Sequence, residues 1–331
     1  MDEKGKWKEL LQHMIAVEAS DLHAAPGQCV RIRRDGALVS DTFVPSASFM
    51  DALLGEMISE GRRAILSGHD VDFSWTYAGR RFRGNAYHME NGIGLALRLL
   101  PARIMTPDEI GMPDALRSIA AVRDGLVLVC GPTGAGKTTT LASLIEVINQ
   151  TRRVHIITLE DPIEYIFLPA SAFISQRELG RDFSSFPDAV RSALREDPDI
   201  LLAGEIRDRA TMEAALMAAT TGILVLGTLH TRSAAQAAMR VESMFPADVR
   251  DAVRAQFADA VTGIFAQRLL PRVGGGRAAA FEVLRAVPAV RNIVRNGQYS
   301  QLFSVMMSGA EQGMQTAEMA EAMLRSKGII V

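Results

Sequence analysis

The run Gly131-Pro132-Thr133-Gly134-Ala135-Gly136-Lys137-Thr138, followed by Thr139, fits the spacing GxxxxGK[ST] and stands between an apolar segment and a helix-like one. Glycines at this spacing let successive backbone N–H groups converge on a phosphate at the positive end of a helix. A lysine beside them reaches the β- and γ-phosphates, and the Thr138 hydroxyl can ligate Mg²⁺. The sequence therefore predicts a nucleotide cradle from Gly131 to Thr139, with Lys137 as its charge.

Other candidate groups lie on either side of this loop. The segment DPDILLAGEIRD places Glu205 at the end of an apolar strand, where a phosphate-binding loop needs a second Mg²⁺ ligand or a water-positioning acid. Gly204 precedes it, so one carboxylate serves where two often stand. Glu160, Asp161 and Glu164 crowd the end of another apolar run, VHIITLE. They would repel one another and a bound triphosphate unless a metal or a nucleophilic water lies between them; otherwise they form an exposed acidic turn. His230 follows a further apolar run in GTLHT, placed either to sense the γ-phosphate or to satisfy a structural hydrogen bond. Arg81 and Arg83 alternate along RRFRGN, and Arg98 closes IGLALRLL. Their guanidinium groups suit transition-state phosphate charge if a ring of subunits brings this region to a neighbour's nucleotide, and read equally well as solvated strand-face charges.

These groups need rigid elements to hold them. The runs at 126–130, 154–160, 199–205 and 223–230 are continuously apolar and separated by helix-length segments, the pattern of a parallel sheet covered on both faces. Ahead of them, Trp7 to Met14 and Ser48 to Leu66 read as helices. CVRIRRDGALV reads as a hairpin turning at Asp35-Gly36, and glycine-punctuated strands follow up to residue 100. Pro101, Pro107 and Pro113 mark a linker. The expected organisation is a small α+β domain over 1–100, a linker over 101–116 and an α/β domain over 117–331. From Ser233 onward the pattern reads as almost wholly helical, apart from a short strand in PRVGGGRAAAFEVL, with Met306, Met307, Met314, Met319 and Met323 as core filler.

Composition narrows the class. The 331 residues are 48% hydrophobic and 22% charged, within the globular range. With 36 Lys and Arg against 38 Asp and Glu, no global field draws the chain to nucleic acid. Cys29 and Cys130 are far apart, form no CxxC pair and read as ordinary buried thiols of a reducing compartment. The N-terminus MDEKGKWKELLQ lacks the apolar core of a signal peptide, and the longest uncharged run, Ala214 to Leu229, has 16 residues, too few to span a bilayer. The expectation is a cytoplasmic chain without a transmembrane segment.

Taken together, GPTGAGKTTT, ITLEDPIEYIF, SALREDPDILLAGEIRD and GTLHTRSAAQA resemble the Walker A, Asp box, Walker B and His box of the secretion-type P-loop ATPases, over nearly the whole chain. ASDLH at 19–23, RFRGNAY, LALRLLP, VPAVRNIVRNG at 287–297 and GMQTAEMAEAML near the end resemble the type IV pilus retraction branch, PilT-like. Pilus-assembly and type II secretion ATPases resemble the same core but usually carry a long N-terminal extension and a four-cysteine zinc insertion, neither of which is expected here.

The resemblance implies a PAS-like N-terminal domain and a RecA-like ATPase domain with helical C-terminal additions. It implies a homohexamer that hydrolyses ATP with Mg²⁺ to drive pilus retraction at the inner face of the cytoplasmic membrane. A membrane platform protein would be its partner, with a second motor ATPase as a further one. Lys137 and Thr138 would hold phosphate and Mg²⁺, Glu164 would be the general base, Glu205 the Walker B acid and His230 the His-box residue, with Arg81, Arg83 and Arg98 as the first-domain arginines. Relatives usually have a Glu and a second His where Thr220 and Ile223 stand, and an acid in place of Met239 before Arg240, so an ion pair should be missing there. The alternatives are an assembly or secretion ATPase and, in another class, a non-hydrolysing regulator of a paralogous motor.

Overall fold

The computed structural model describes every residue except Met1, Asp35, Ser59, Gly61, Arg62, Ala64 and Ile65. The chain forms two compact units. The first takes residues 1–103 and also gathers 162–166 and 178–182 from much later in the chain; the second takes the remainder.

The first unit is a six-stranded antiparallel sheet in the order β3-β2-β1-β6-β5-β4. Its strands are β1 (Asp21–Ala24), β2 (Arg31–Arg34), β3 (Ala37–Ser40), β4 (Val71–Tyr77), β5 (Arg80–Met89) and β6 (Gly92–Leu99). Helices Glu3–Ala16 and Ala47–Met57 cover one face. Each begins with a side-chain cap, Asp2 accepting from the Gly5 N–H and Ser46 from that of Phe49. Trp7, Leu11, Met14, Met50 and Leu54 pack with Leu22, Phe73, Phe82, Leu95 and Leu97 beneath them. Because side chains alternate across a strand, burying Phe82 and Leu97 turns Arg81, Arg83 and Arg98 to the opposite face. This is the PAS-like α+β arrangement.

Two expectations change here. The helix expected to run to Leu66 ends at Met57, where Ile58 turns extended (φ −111°, ψ 131°). Much of its expected remainder, together with Asp35 of the hairpin turn, lies outside the described residues. Cys29, expected to be buried, is exposed in the connection between β1 and β2.

The second unit is built on a seven-stranded sheet in the order β13-β12-β7-β11-β10-β8-β9. Its strands are β7 (Gly125–Cys130), β8 (His155–Glu160), β9 (Phe173–Glu178), β10 (Ile200–Ala203), β11 (Leu224–Leu229), β12 (Val261–Pro271) and β13 (Arg277–Arg285). Strands β12, β7, β11, β10 and β8 run parallel, and β13 closes one edge antiparallel. Every residue of β7, β10 and β11 is buried. Each Leu, Ile or Val taken out of water contributes roughly 1.5–3 kcal/mol, which makes this the rigid floor of the unit. It is a RecA-like α/β core.

The C-terminal part departs from the helical expectation, because β12 and β13 pair over nine residue positions, Gly263–Pro271 with Arg277–Arg285. Helix Arg250–Ala260 runs into β12 with only a change of backbone at Val261 (φ −63°, ψ 131°), and no Gly or Pro marks the switch. The five C-terminal methionines also divide. Met306 and Met314 are core, whereas Met307, Met319 and Met323 are exposed.

Candidate functional site: a phosphate-binding loop and the acids around it

Strand β7 delivers the chain to Gly131, and the loop ends at Gly136, the left-handed N-cap (φ 88°) of helix Lys137–Thr151. Gly131 is required by closeness as well as by φ (152°). A Cβ there would lie 2.4 Å from the Gln267 carbonyl oxygen of β12. Gln267, buried beneath the loop, accepts a hydrogen bond from Thr140 Oγ1 at 2.8 Å. Neither Gln267 nor its strand figured in the sequence reading, and one amide within an apolar run was the only signal.

The Lys137 side chain folds over the loop, its Nζ donating to the carbonyls of Gly131 (2.8 Å) and Pro132 (3.1 Å). Burial lowers its pKa, with Glu205 and Cys130 acting in the opposite direction. A buried ammonium of this kind gains most from an anion brought to it. Thr138 is exposed at the start of the helix. Burial pushes the Cys130 thiol up to about 12, so it is an inert part of the floor.

Glu205 and His230 meet at the carboxyl ends of β10 and β11. His230 Nε2 lies 3.0 Å from Glu205 Oε1, and its Nδ1 lies 3.4 Å from Thr133 Oγ1 in the loop. Arg207 grips both Glu205 oxygens, at 2.6 and 2.7 Å. Burial raises the Glu205 carboxyl pKa, but Arg207, His230 and Lys137 together outweigh it and leave the group below its ordinary value. It is therefore a carboxylate at neutral pH. Gly204 is fixed by packing, since a Cβ there would stand 2.8 Å from the Leu159 carbonyl oxygen and 3.4 Å from Glu160 Cα. The single acid at this strand end thus follows from how closely β10 runs beside β8.

A cleft of about 430 Å³ opens beside these groups, lined by Glu205, Arg207, His230, Thr231 and Arg240. Among the described residues Arg240 has no ion pair, and Met239 is exposed. Ile223 packs between two parts of the core, and Thr220 donates to the carbonyls of Leu216 and Met217 at the end of its helix.

The acidic run at the end of β8 separates. Glu160 is buried and accepts from Thr158 Oγ1 (2.7 Å) and Gln176 Nε2 (3.3 Å), whereas Asp161 is exposed. Glu164 belongs to the first unit, where its carboxylate lies 3.9 Å from Arg83 Nη1. In the same unit Arg83 and Arg98 are cross-strand partners, and Arg98 pairs with Asp21 at 2.8 Å. Arg81 turns inward to Glu178 at 3.3 Å. Glu178, almost fully buried, was the other residue absent from the sequence reading, because it closes a strand whose apolar pattern is broken by Ser175, Gln176 and Arg177.

A glycine-rich loop between a buried strand and a helix, with an ionised acid and a histidine at neighbouring strand ends, defines a P-loop ATPase. Residues 5–280 match the family described as Type II/IV secretion system protein, and the chain belongs to that family. The Pseudomonas aeruginosa type IV pilus retraction ATPase PilT is 41% identical over 325 residues, spanning 97% of this chain and 94% of that protein. A crystal structure of the pilus retraction motor PilT with bound ADP is similar at a TM-score of 0.89 and 41% identity, covering 98% of this chain and 94% of that one. The Legionella pneumophila ATPase DotB is similar at a TM-score of 0.88 and 29% identity, over 98% of this chain and 92% of that one. The enzyme is accordingly an ATP hydrolase. No helix among the described residues is long and apolar enough to cross a membrane.

Proposed function

We propose that the chain is a ring-forming motor that hydrolyses ATP to retract a type IV pilus. The observation that carries this reading is the near full-length similarity to a pilus retraction ATPase, which extends beyond the shared nucleotide core into the first domain. In this reading Gly131 to Thr139 cradle the phosphates, and Lys137 neutralises the outer ones. Residues 1–100 form the PAS-like domain, 101–116 the linker and 117–331 the ATPase domain.

The donor set fits Mg²⁺, which favours hard oxygens and keeps several waters: the Thr138 hydroxyl is exposed, and Glu205 is held ionised. Thr138 and Glu205 would hold the ion, which would supply charge neutralisation at the phosphates. His230, touching both Glu205 and Thr133, reports the state of the loop to the acid. Glu164 orients the attacking water for in-line displacement, with no covalent intermediate. Arg83 and Arg98 act on a neighbouring subunit's nucleotide in a homohexamer, which explains why they lie on the sheet face that the helices leave open. The ring works at the inner face of the cytoplasmic membrane against a platform protein, with a second motor ATPase as a further partner and no nucleic acid.

Deleting the gene in a strain with an intact extension motor tests the direction of work. Abundant pili of static length, retracting again only when a copy with Glu205 intact is restored, are expected. Bald cells would assign the protein to assembly or secretion.

A further inference from the structure

Arg81 and Glu178 form an ion pair taken almost wholly out of water, their side chains 12% and 2% exposed. Such a pair is costly unless its remaining donors and acceptors are satisfied, and apolar residues of similar size often stabilise a fold as well or better. How this pair uses its hydrogen bonds is therefore informative. Arg81 Nε donates to the Ile163 carbonyl at 3.2 Å, Nη1 to Thr76 Oγ1 at 3.0 Å, and Nη2 to the Ser74 hydroxyl and Glu178. Glu178 Oε2 accepts the Ile163 N–H at 3.1 Å and the Ser74 hydroxyl.

One buried ion pair thus holds both the N–H and the C=O of Ile163, whose own side chain is 2% exposed. The next residue is Glu164, its carboxylate reaching Arg83, two positions along β5 from Arg81. We infer that Arg81 and Glu178 are positioning residues that lock the main chain at Ile163 and thereby aim the Glu164 carboxylate. This rests on the reading of Glu164 as the group that orients water. Arg81 is on this account no finger toward a neighbour, since its donors are directed inward; Arg83 and Arg98, with side chains 41% and 67% exposed, retain that part.

The test is Glu178→Gln in the full chain, which keeps an oxygen for the Ile163 N–H but removes the charge that fixes Arg81. Turnover is expressed per nucleotide-competent site, counted by ADP titration. A misplacement of ~1 Å costs on the order of 100-fold in rate. The expected result is a kcat lowered ~10- to 100-fold, with KM for ATP and affinity for ADP within about twofold of wild type. Ser74→Ala, which removes the hydroxyl shared by the pair, should show the same split more weakly, and it decides the matter if Glu178→Gln fails to fold. A merely structural pair would lower the count of competent sites and leave kcat per site unchanged, which overturns the inference. Glu164→Gln separates the two levels. If it is inactive while Glu178→Gln and Ser74→Ala turn over normally per site, only the positioning role falls; if it retains turnover, the role of Glu164 falls and the positioning role with it.

Discussion

The site's chemistry turns on two charges held in opposite states of comfort. Burial depresses Lys137, whose Nζ is held by the Gly131 and Pro132 carbonyl oxygens, so the residue is kept at some cost to the fold. Lys137→Ala should therefore lower ATP turnover by ~10²–10³-fold or more, the range seen when one preorganised electrostatic donor is removed. Its melting temperature should fall by no more than about 3 °C, because a desolvation penalty goes with the charge. Turnover near wild type in the purified variant would overturn the role given to Lys137. Glu205 behaves in the opposite way, its carboxyl lying below the ordinary 4.5. A carboxyl depressed in the folded state adds stability that is fully present above its unfolded value and is lost as pH falls through its folded one. Partly exposed and bidentate, the pair with Arg207 is worth at most ~1 kcal/mol, or ~2–4 °C in a unit of this size. Glu205→Gln should melt that much lower than wild type at pH 7, and thermal scans should show the gap closing progressively as the pH falls below 4.5.

At the scale of elements, the spacing between β8 and β10 dictates what the acid's neighbour can be. Gly204→Asp would set two acids in succession at this strand end, yet its Cβ would press on the Leu159 carbonyl and its carboxylate would approach Glu160. A loss of ~1–3 kcal/mol in urea unfolding, with no gain in turnover, is expected. The motif residues and the buried parallel strands were legible because each carries a dense local signal: glycines at fixed spacing, or an apolar run bounded by turns. Strand β12 was not, because Ala260 passes to Val261 without a breaker and the apolar residues of VTGIFAQRLLP fit either period. Gln267 was lost with it. Glu178 was missed for a different reason: its partner Arg81 lies 97 positions earlier, and no local pattern announces so distant a pair. Three of the five methionines read as core proved exposed, since helical spacing alone does not say which face is covered.

At the scale of the molecule, the proposed ring makes a quantitative prediction. Lys137→Ala and Arg83→Ala subunits, each inactive alone, should recover activity when co-assembled. In a random equal mixture about one interface in four pairs an intact loop with an intact Arg83. Recovered turnover should not exceed that fraction by much. A strictly monomeric protein with full activity, measured by light scattering alongside the assay, would rule the arrangement out.

The first unit is not closed by its own first hundred residues, because it borrows 162–166 and 178–182. A ribosome adds ~5–20 residues per second, so the 97 residues from Arg81 to Glu178 take on the order of 5–20 s to make. Through that interval the sheet can form and bury Phe73 and Phe82, but the Arg81 guanidinium must stay hydrated, awaiting a carboxylate not yet synthesised. The nascent domain therefore finishes folding only after translation has passed well into the nucleotide-binding half. A fragment cut at Arg103 is a domain lacking its last structural part, and the birth order of the protein ties the completion of one unit to the synthesis of the other.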